Sequence, residues 1–326
     1  MKFRFSGHES FPCRYTWLPK AYQAILENPD IFSEDNLAMV RLGVGKNMVK
    51  AIRFWVQAFG LAILTANKKS LEITPFGHQI FDIDGLDPFL EDSQTLWLLH
   101  WKVSTIQEDP LFAWYFLLNN WPDPSFSRSE VISAFTRESE RMNRPLSDFT
   151  KEQHFDIFLH TYVPARSKKN SEVLEDSLDC PLTELNFILP AGERIVSESG
   201  KREPLYEFTK QANNEISPDL FIYCLFDFWQ NNRSLESTVS FQDLSSLPGS
   251  IGQVFKLNES EIRSRLDSLE SDSNGLFRFA ASAAVPRIIR QENFDTLTQV
   301  LLLQRIYDMN VLNNVLQAEN NELHAD

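Results

Sequence analysis

Three groups of residues in this chain have types and spacing that could support chemistry. The first is a run of cations between Leu37 and Leu71: Arg41, Lys46, Lys50, Arg53, Lys68 and Lys69, with no acidic residue among them. The whole chain carries a formal net charge of −14, so this stretch is a local reversal of sign. A reversal of this kind lets an acidic protein present one face to a polyanion. Asn47, beside Lys46, adds a side chain able to pair bidentately with adenine. The alternative for the cations is an ordinary solvated face, against which stands the complete absence of acids over the stretch.

The second group is His8-Glu9, in the N-terminal arm "SGHESFPCRY", which could join a catalytic or metal constellation with distant residues or serve structure alone. The third is carboxylate. Asp82, Asp84, Asp87, Glu91 and Asp92 precede the segment "TLWLLHW", and Glu175, Asp176 and Asp179 lie in "EDSLDCPL" near Arg166, Lys168 and Lys169. Hard cations such as Mg²⁺ or Mn²⁺ take carboxylate oxygens, and nucleases use them to stabilise in-line displacement at phosphorus. This makes Asp87, Glu91 and Asp92 candidate metal ligands. His8, Glu9, Glu91, Asp92, Glu175 and Asp176 become candidate catalytic groups. The competing reading of the first cluster is charge placed at a helix N-terminus, where the dipole favours it. For the second it is a salt-bridged loop.

Other chemistries are excluded. "GVGK" lacks the first glycine and the Ser/Thr of a phosphate-binding loop, since Val40 and Asn47 stand there, so no nucleotide cofactor is expected. Cys13, Cys180 and Cys224 have no CxxC spacing and are odd in number, which argues against a disulfide framework or a cysteine zinc site and fits a reducing compartment. His154 and His160 are six residues apart and do not share a helical face, and His100 reads as a hydrogen-bonded core histidine. No apolar stretch spans a membrane, and the N-terminal residues lack the apolar core of a signal peptide; a cytoplasmic location is expected.

The elements that must carry these groups follow from periodicity. Trp17 to Leu26 reads as a helix. Ser33 is a plausible N-cap for a helix reaching Arg41, and "LGVG" supplies a turn. From Lys46 to Phe59, Val49, Ile52, Val56 and Phe59 form an apolar stripe while Lys46, Lys50, Arg53 and Gln57 form a polar one. "LAILT" and "SLEIT" then flank a hairpin with Lys68 and Lys69 at its tip. This order describes a winged helix-turn-helix, whose second helix enters the major groove while its wing touches phosphates.

The predicted fold is mostly α with small β-hairpins, built of winged helix-turn-helix units around a tryptophan-rich helical core. Residues 1–86 form the arm and the DNA-binding unit. Residues 87–125 form a helical hairpin whose Trp97, Trp101, Trp114 and Trp121 are expected to be buried. Residues 126–215 form a middle unit, and residues 216–318 a C-terminal unit with a charge-balanced second helix and a terminal helix from residue 294. Residues 319–326 are an expected disordered tail.

Read together and in order, "SGHESF", "LGVGKNMVKAIRFW", "TPFGHQIF", "DPFLED", "TLWLLHW" and "EDSLDCPL" resemble the bacterial family catalogued as domain of unknown function 4007. The resemblance implies a protein of a DNA phosphorothioation and defence system, similar to a DNA-nicking component that acts with a cysteine desulfurase, an ATPase and an ATP-pyrophosphatase-like sulfur-transfer protein. It fixes no catalytic residue. DNA binding with metal-dependent single-strand nicking, in a chain that could act as a homodimer, is the expected function. The alternatives are a non-catalytic recruitment subunit and, behind it, a transcriptional regulator.

Overall fold

The computed structural model describes residues 2–66, 69–164, 180–195, 200, 202–281, 285–290 and 298–307. The chain divides into two compact units, Met1–Ala212 and Asn213–Asp326.

The N-terminal unit opens with a loop-rich arm whose Arg4 bridges to Leu111. Helices α1 (Trp17–Glu27), α2 (Asp35–Leu42) and α3 (Lys46–Ala58) follow. Ser33 is not the N-cap of α2. It closes a 3₁₀ turn, Ile31–Ser33, and Glu34 takes the cap position without a side-chain cap bond. Gly43 ends α2 in the left-handed conformation (φ 70°), which a residue without Cβ adopts at little cost. Strands β1 (Ala62–Leu64) and β2 (Leu71–Ile73) pair antiparallel, so the predicted order of helix, helix and hairpin is present. Helix α4 (Pro75–Phe81) is capped by Thr74, whose hydroxyl accepts from Gly77 N at 3.0 Å and donates to Gly60 O at 2.6 Å, tying α4 to the end of α3.

Helices α5 (Ser93–Ser104) and α6 (Phe112–Asn119) supply the aromatic core. Trp97, Trp101 and Trp114 are fully buried with Trp55 of α3, whereas Trp121 lies beyond the end of α6 and is half-buried. The indole of Trp114 donates to Tyr162 Oη at 2.9 Å, and Tyr162 lies 2.8 Å from His100 Nδ1. These bonds satisfy polar atoms that burial would otherwise penalise. His100 is thus the hydrogen-bonded core residue expected of it.

Strand β3 (Ser125–Ser127), helices α7 (Arg128–Arg141) and α8 (Asp148–Tyr162), and strands β4 (Ile188–Ile195) and β5 (Arg202–Phe208) complete the unit in a sheet of order β3-β5-β4. Short helix α9 (Gln211–Glu215) follows.

In the C-terminal unit, α10 (Pro218–Arg233) buries every residue from Asp219 to Trp229. Strand β6 (Thr238–Ser240), helices α11 (Phe241–Ser246), α12 (Ile251–Val254), α13 (Glu259–Asp267) and α14 (Leu269–Asp272), and strands β7 (Phe277–Ala280) and β8 (Arg287–Arg290) make a second sheet, β6-β8-β7. Both three-stranded sheets share one topology: a short strand before the helices pairs with the last strand, which is central. Residues 298–307 are helical; the rest of the predicted terminal helix and the tail lie outside the described residues. The chain is mostly helical with small antiparallel sheets. No helix among the described residues is long and apolar enough to cross a membrane.

Candidate nucleic-acid interface

Arg41 of the acid-free stretch lies in the last turn of α2, and three further cations, Lys46, Lys50 and Arg53, lie on α3. Val49, Ile52 and Val56 are buried along one face, together with Phe54 and Trp55, and this fixes the helix against the core. Lys46, Asn47 and Lys50 are consequently exposed, and Arg53 is half-buried. Lys69 stands in the connection between β1 and β2, while Lys68 lies outside the described residues.

The surface is nevertheless not acid-free. The fold returns carboxylates to it from three other places. Asp35, in the first turn of α2, sits 2.7 Å from Lys46 Nζ. Glu27, the last residue of α1, accepts from Arg41 Nε at 2.9 Å and from Nη2 at 2.6 Å. Glu9 reaches to 3.9 Å from Lys50 Nζ. Hydrogen bonding to Asp35 raises the affinity of Lys46 for its proton, and the same bond, with the nearby charge of Lys50, lowers the pKa of Asp35. Arg41 and Glu27 shift apart in the same way. All these pairs are solvent-exposed, so each is weak and open to competition by another anion.

Glu9 belongs to a tightly constrained loop. Gly7 has φ 115°, and a Cβ there would meet Phe54 Cδ2 at 2.8 Å. Glu9 (φ 49°) and Ser10 (φ 64°) follow in the left-handed region, each at a cost of about 1 kcal/mol or more. The loop is pinned to α3 by Trp55 Nε1, which donates to Phe11 O at 2.9 Å. The Arg4 guanidinium lies 4.4 Å over the Phe54 ring.

His8 is only 1% exposed and meets His154 of α8, Nε2 to Nδ1, at 3.3 Å. The Ala113 backbone N–H donates to His154 Nε2 at 3.0 Å, and this assigns the tautomers. With its Nε2 accepting, His154 carries its proton on Nδ1 and donates to His8 Nε2. His8 then carries its proton on Nδ1, a buried atom with no hydrogen-bond partner among the described residues. Burial, followed by the charge of Arg4, lowers the His8 pKa to about 4. Burial, followed by His8, lowers His154 to about 3. Both rings are neutral at pH 7 and serve as fixed hydrogen-bonding groups. Sequence spacing compared His154 with His160; tertiary structure pairs it instead with His8, 146 positions away. No local signal connects them.

The carboxylates of the "DPFLED" segment have local work. Asp87 is buried, and its two oxygens accept from Glu91 N at 2.8 Å, Asp92 N at 3.1 Å and Thr95 Oγ1 at 2.5 Å. Asp92 caps α5 by accepting from Gln94 N at 2.8 Å. Glu91 is exposed. Asp87 and Asp92 are thus held by donors of their own segment. Among the described residues no group of three or more His, Cys, Asp or Glu side chains is placed to hold a metal ion. Glu175 and Asp176 lie outside the described residues, as do Arg166, Lys168, Lys169 and Asp179. His8 and Glu9 are neighbours of α3, while Glu91 and Asp92 belong to the α4–α5 connection.

Two solved structures resemble the chain over most of its length. A magnesium-ion-bound crystal structure of SspB is 26% identical and superposes with a TM-score of 0.78, covering 94% of this chain and 88% of that one. A further SspB crystal structure is 26% identical with a TM-score of 0.77 and the same coverage, 94% and 88%. No curated protein matches. The model of the protein family of unknown function DUF4007 matches residues 5–307, which include the arm, α3 and both three-stranded sheets; the chain therefore belongs to the DUF4007 family.

Proposed function

We propose that this protein binds duplex DNA as a component of a bacterial DNA phosphorothioation system. The observation that carries the reading is the exposed cationic face of α3, held by a buried apolar stripe and preceded and followed by α2 and the β1–β2 hairpin. In this reading α2, α3 and the hairpin work as a winged helix-turn-helix. Lys46, Lys50 and Arg53 take backbone phosphates, Asn47 meets a base edge, and Lys68 and Lys69 approach the flanking backbone. Support for the system comes from SspB, a component of the Ssp phosphorothioation system, which the chain resembles over most of its length. Association with the other proteins of that system belongs to the same proposal.

The activity we propose for the DNA grip is single-strand nicking dependent on Mg²⁺ or Mn²⁺. It rests on the resemblance to SspB, one of whose structures is described as magnesium-bound. The described carboxylates do not gather into a metal-holding group, so no hydrolytic step is assigned to named residues. A second reading is a recruitment subunit that binds DNA without cutting it, in which Asp87 serves structure alone through its three donors.

Two assays separate these readings. A triple charge reversal, K46E/K50E/R53E, is expected to weaken binding in a gel shift; unchanged affinity would refute the interface. Supercoiled plasmid with Mg²⁺ or Mn²⁺ is expected to relax to open circles, and EDTA to prevent it. Intact supercoils alongside salt-sensitive gel shifts would leave recruitment as the function.

A further inference from the structure

We propose that Glu9, Glu27 and Asp35 are built-in counter-ions of the cations on α2 and α3, Arg41, Lys46 and Lys50, holding their affinity for arbitrary DNA below what the bare cations would give. This inference rests on the DNA-binding reading above and adds its regulation. Three carboxylates from three separate elements each meet a cation of the acid-free stretch: Glu9 from the strained arm loop, Glu27 from the end of α1 and Asp35 from the start of α2.

Position separates local from tertiary purpose. Asp35 lies in the first turn of α2, where the helix dipole favours negative charge, so it has a local use as well. Glu27 is the last residue of α1, where the dipole disfavours it, yet it grips Arg41 through two hydrogen bonds. Glu9 is presented by consecutive left-handed residues in a loop whose Gly7 leaves no room for a side chain.

The cations remain reachable, with side-chain exposures of 43% for Arg41, 59% for Lys46 and 47% for Lys50. A phosphate therefore exchanges with a carboxylate rather than entering an empty site. The counter-ions released on binding are those condensed on the DNA; a cation already neutralised within the chain displaces fewer of them, and its carboxylate must first be displaced and resolvated. Non-specific binding, which is almost wholly electrostatic, suffers most. A site that adds base contacts loses proportionately less, so the ratio of specific to non-specific affinity rises.

The test uses the full chain and a short random-sequence duplex, with folding checked by circular dichroism. The triple variant E9Q/E27Q/D35N is expected to bind roughly tenfold more tightly near ~150 mM salt, with a log K against log salt slope steeper by up to ~0.9 per freed cation. The single variant E27Q removes a charge from a position the dipole disfavours, so it keeps the test valid should D35N unsettle α2. Unchanged affinity and slope in the folded triple variant, where K46E/K50E/R53E does abolish binding, would overturn the counter-ion role and leave the interface intact. Binding unaffected by K46E/K50E/R53E would overturn both.

Discussion

The His8–His154 pair makes the folded protein acid-sensitive in a way that can be measured. An imidazole free in the unfolded chain titrates near ~6.5. In the fold, His8 titrates at about 4 and His154 at about 3, with burial the main cause for both. Between these values the unfolded chain binds protons that the folded chain refuses, so stability falls as pH drops below ~6.5. From pH 7 to pH 5 the loss is about 2 kcal/mol per histidine, because the unfolded form is then mostly protonated and the folded form is not.

Substituting Gln at position 8 keeps an acceptor at the ε position for His154 Nδ1 and removes one titrating group. The assay is urea denaturation followed by tryptophan fluorescence, which reports chiefly on the N-terminal unit, where six of the seven tryptophans lie. The pH 7 to pH 5 loss is expected to be about 2 kcal/mol smaller in H8Q than in the parent chain, whatever the other groups contribute to both. Equal losses would refute the neutral, buried assignment of His8.

Three further outcomes follow from the geometry. D87A leaves the amides of Glu91 and Asp92 and the hydroxyl of Thr95 without their acceptor, and thermal or urea unfolding is expected to show a loss of about 3 kcal/mol. Should millimolar Mg²⁺ stabilise the parent chain but not D87A, the segment would be a metal site and a purely structural role for Asp87 would be wrong. G7A combines a φ of 115° with a Cβ 2.8 Å from Phe54 and is expected to cost about 2 kcal/mol or more in a melting experiment; a neutral result would show that the loop can leave α3 freely. Reversing Lys46, Lys50 and Arg53 together is expected to flatten the salt slope of DNA binding, by less than the ~2.7 that three unpaired cations would give because Asp35 and Glu9 already offset Lys46 and Lys50, read from titrations at several ionic strengths.

Much of the local structure was legible because its causes are local. The apolar stripe of α3 and the Asp92 cap before α5 arise from residues within one or two turns of one another. Gly43 and Gly60, both at positive φ, mark the ends of α2 and α3 for the same reason. Ser33 failed as an N-cap because a 3₁₀ turn absorbs it, a choice between two local conformations that composition does not decide. Trp121 was counted with the buried tryptophans but lies past the end of α6, where helical spacing no longer places it inward.

The candidate site divides along the same line. By itself the sequence determined that cations cluster on one helix and that this helix has a buried back, since charge and periodicity are properties of neighbours. Only the tertiary structure decided what faces those cations. Glu27 lies 14 positions from Arg41 and outside the acid-free stretch, as do Glu9 and Asp35, yet all three return to it in space. Only the fold, likewise, joined His8 to His154, 146 positions apart. The physical reason is range. Helical periodicity is set by bonds a few residues long, whereas burial, ion pairing and the proton affinities they impose depend on distance in space, which chain folding alone establishes.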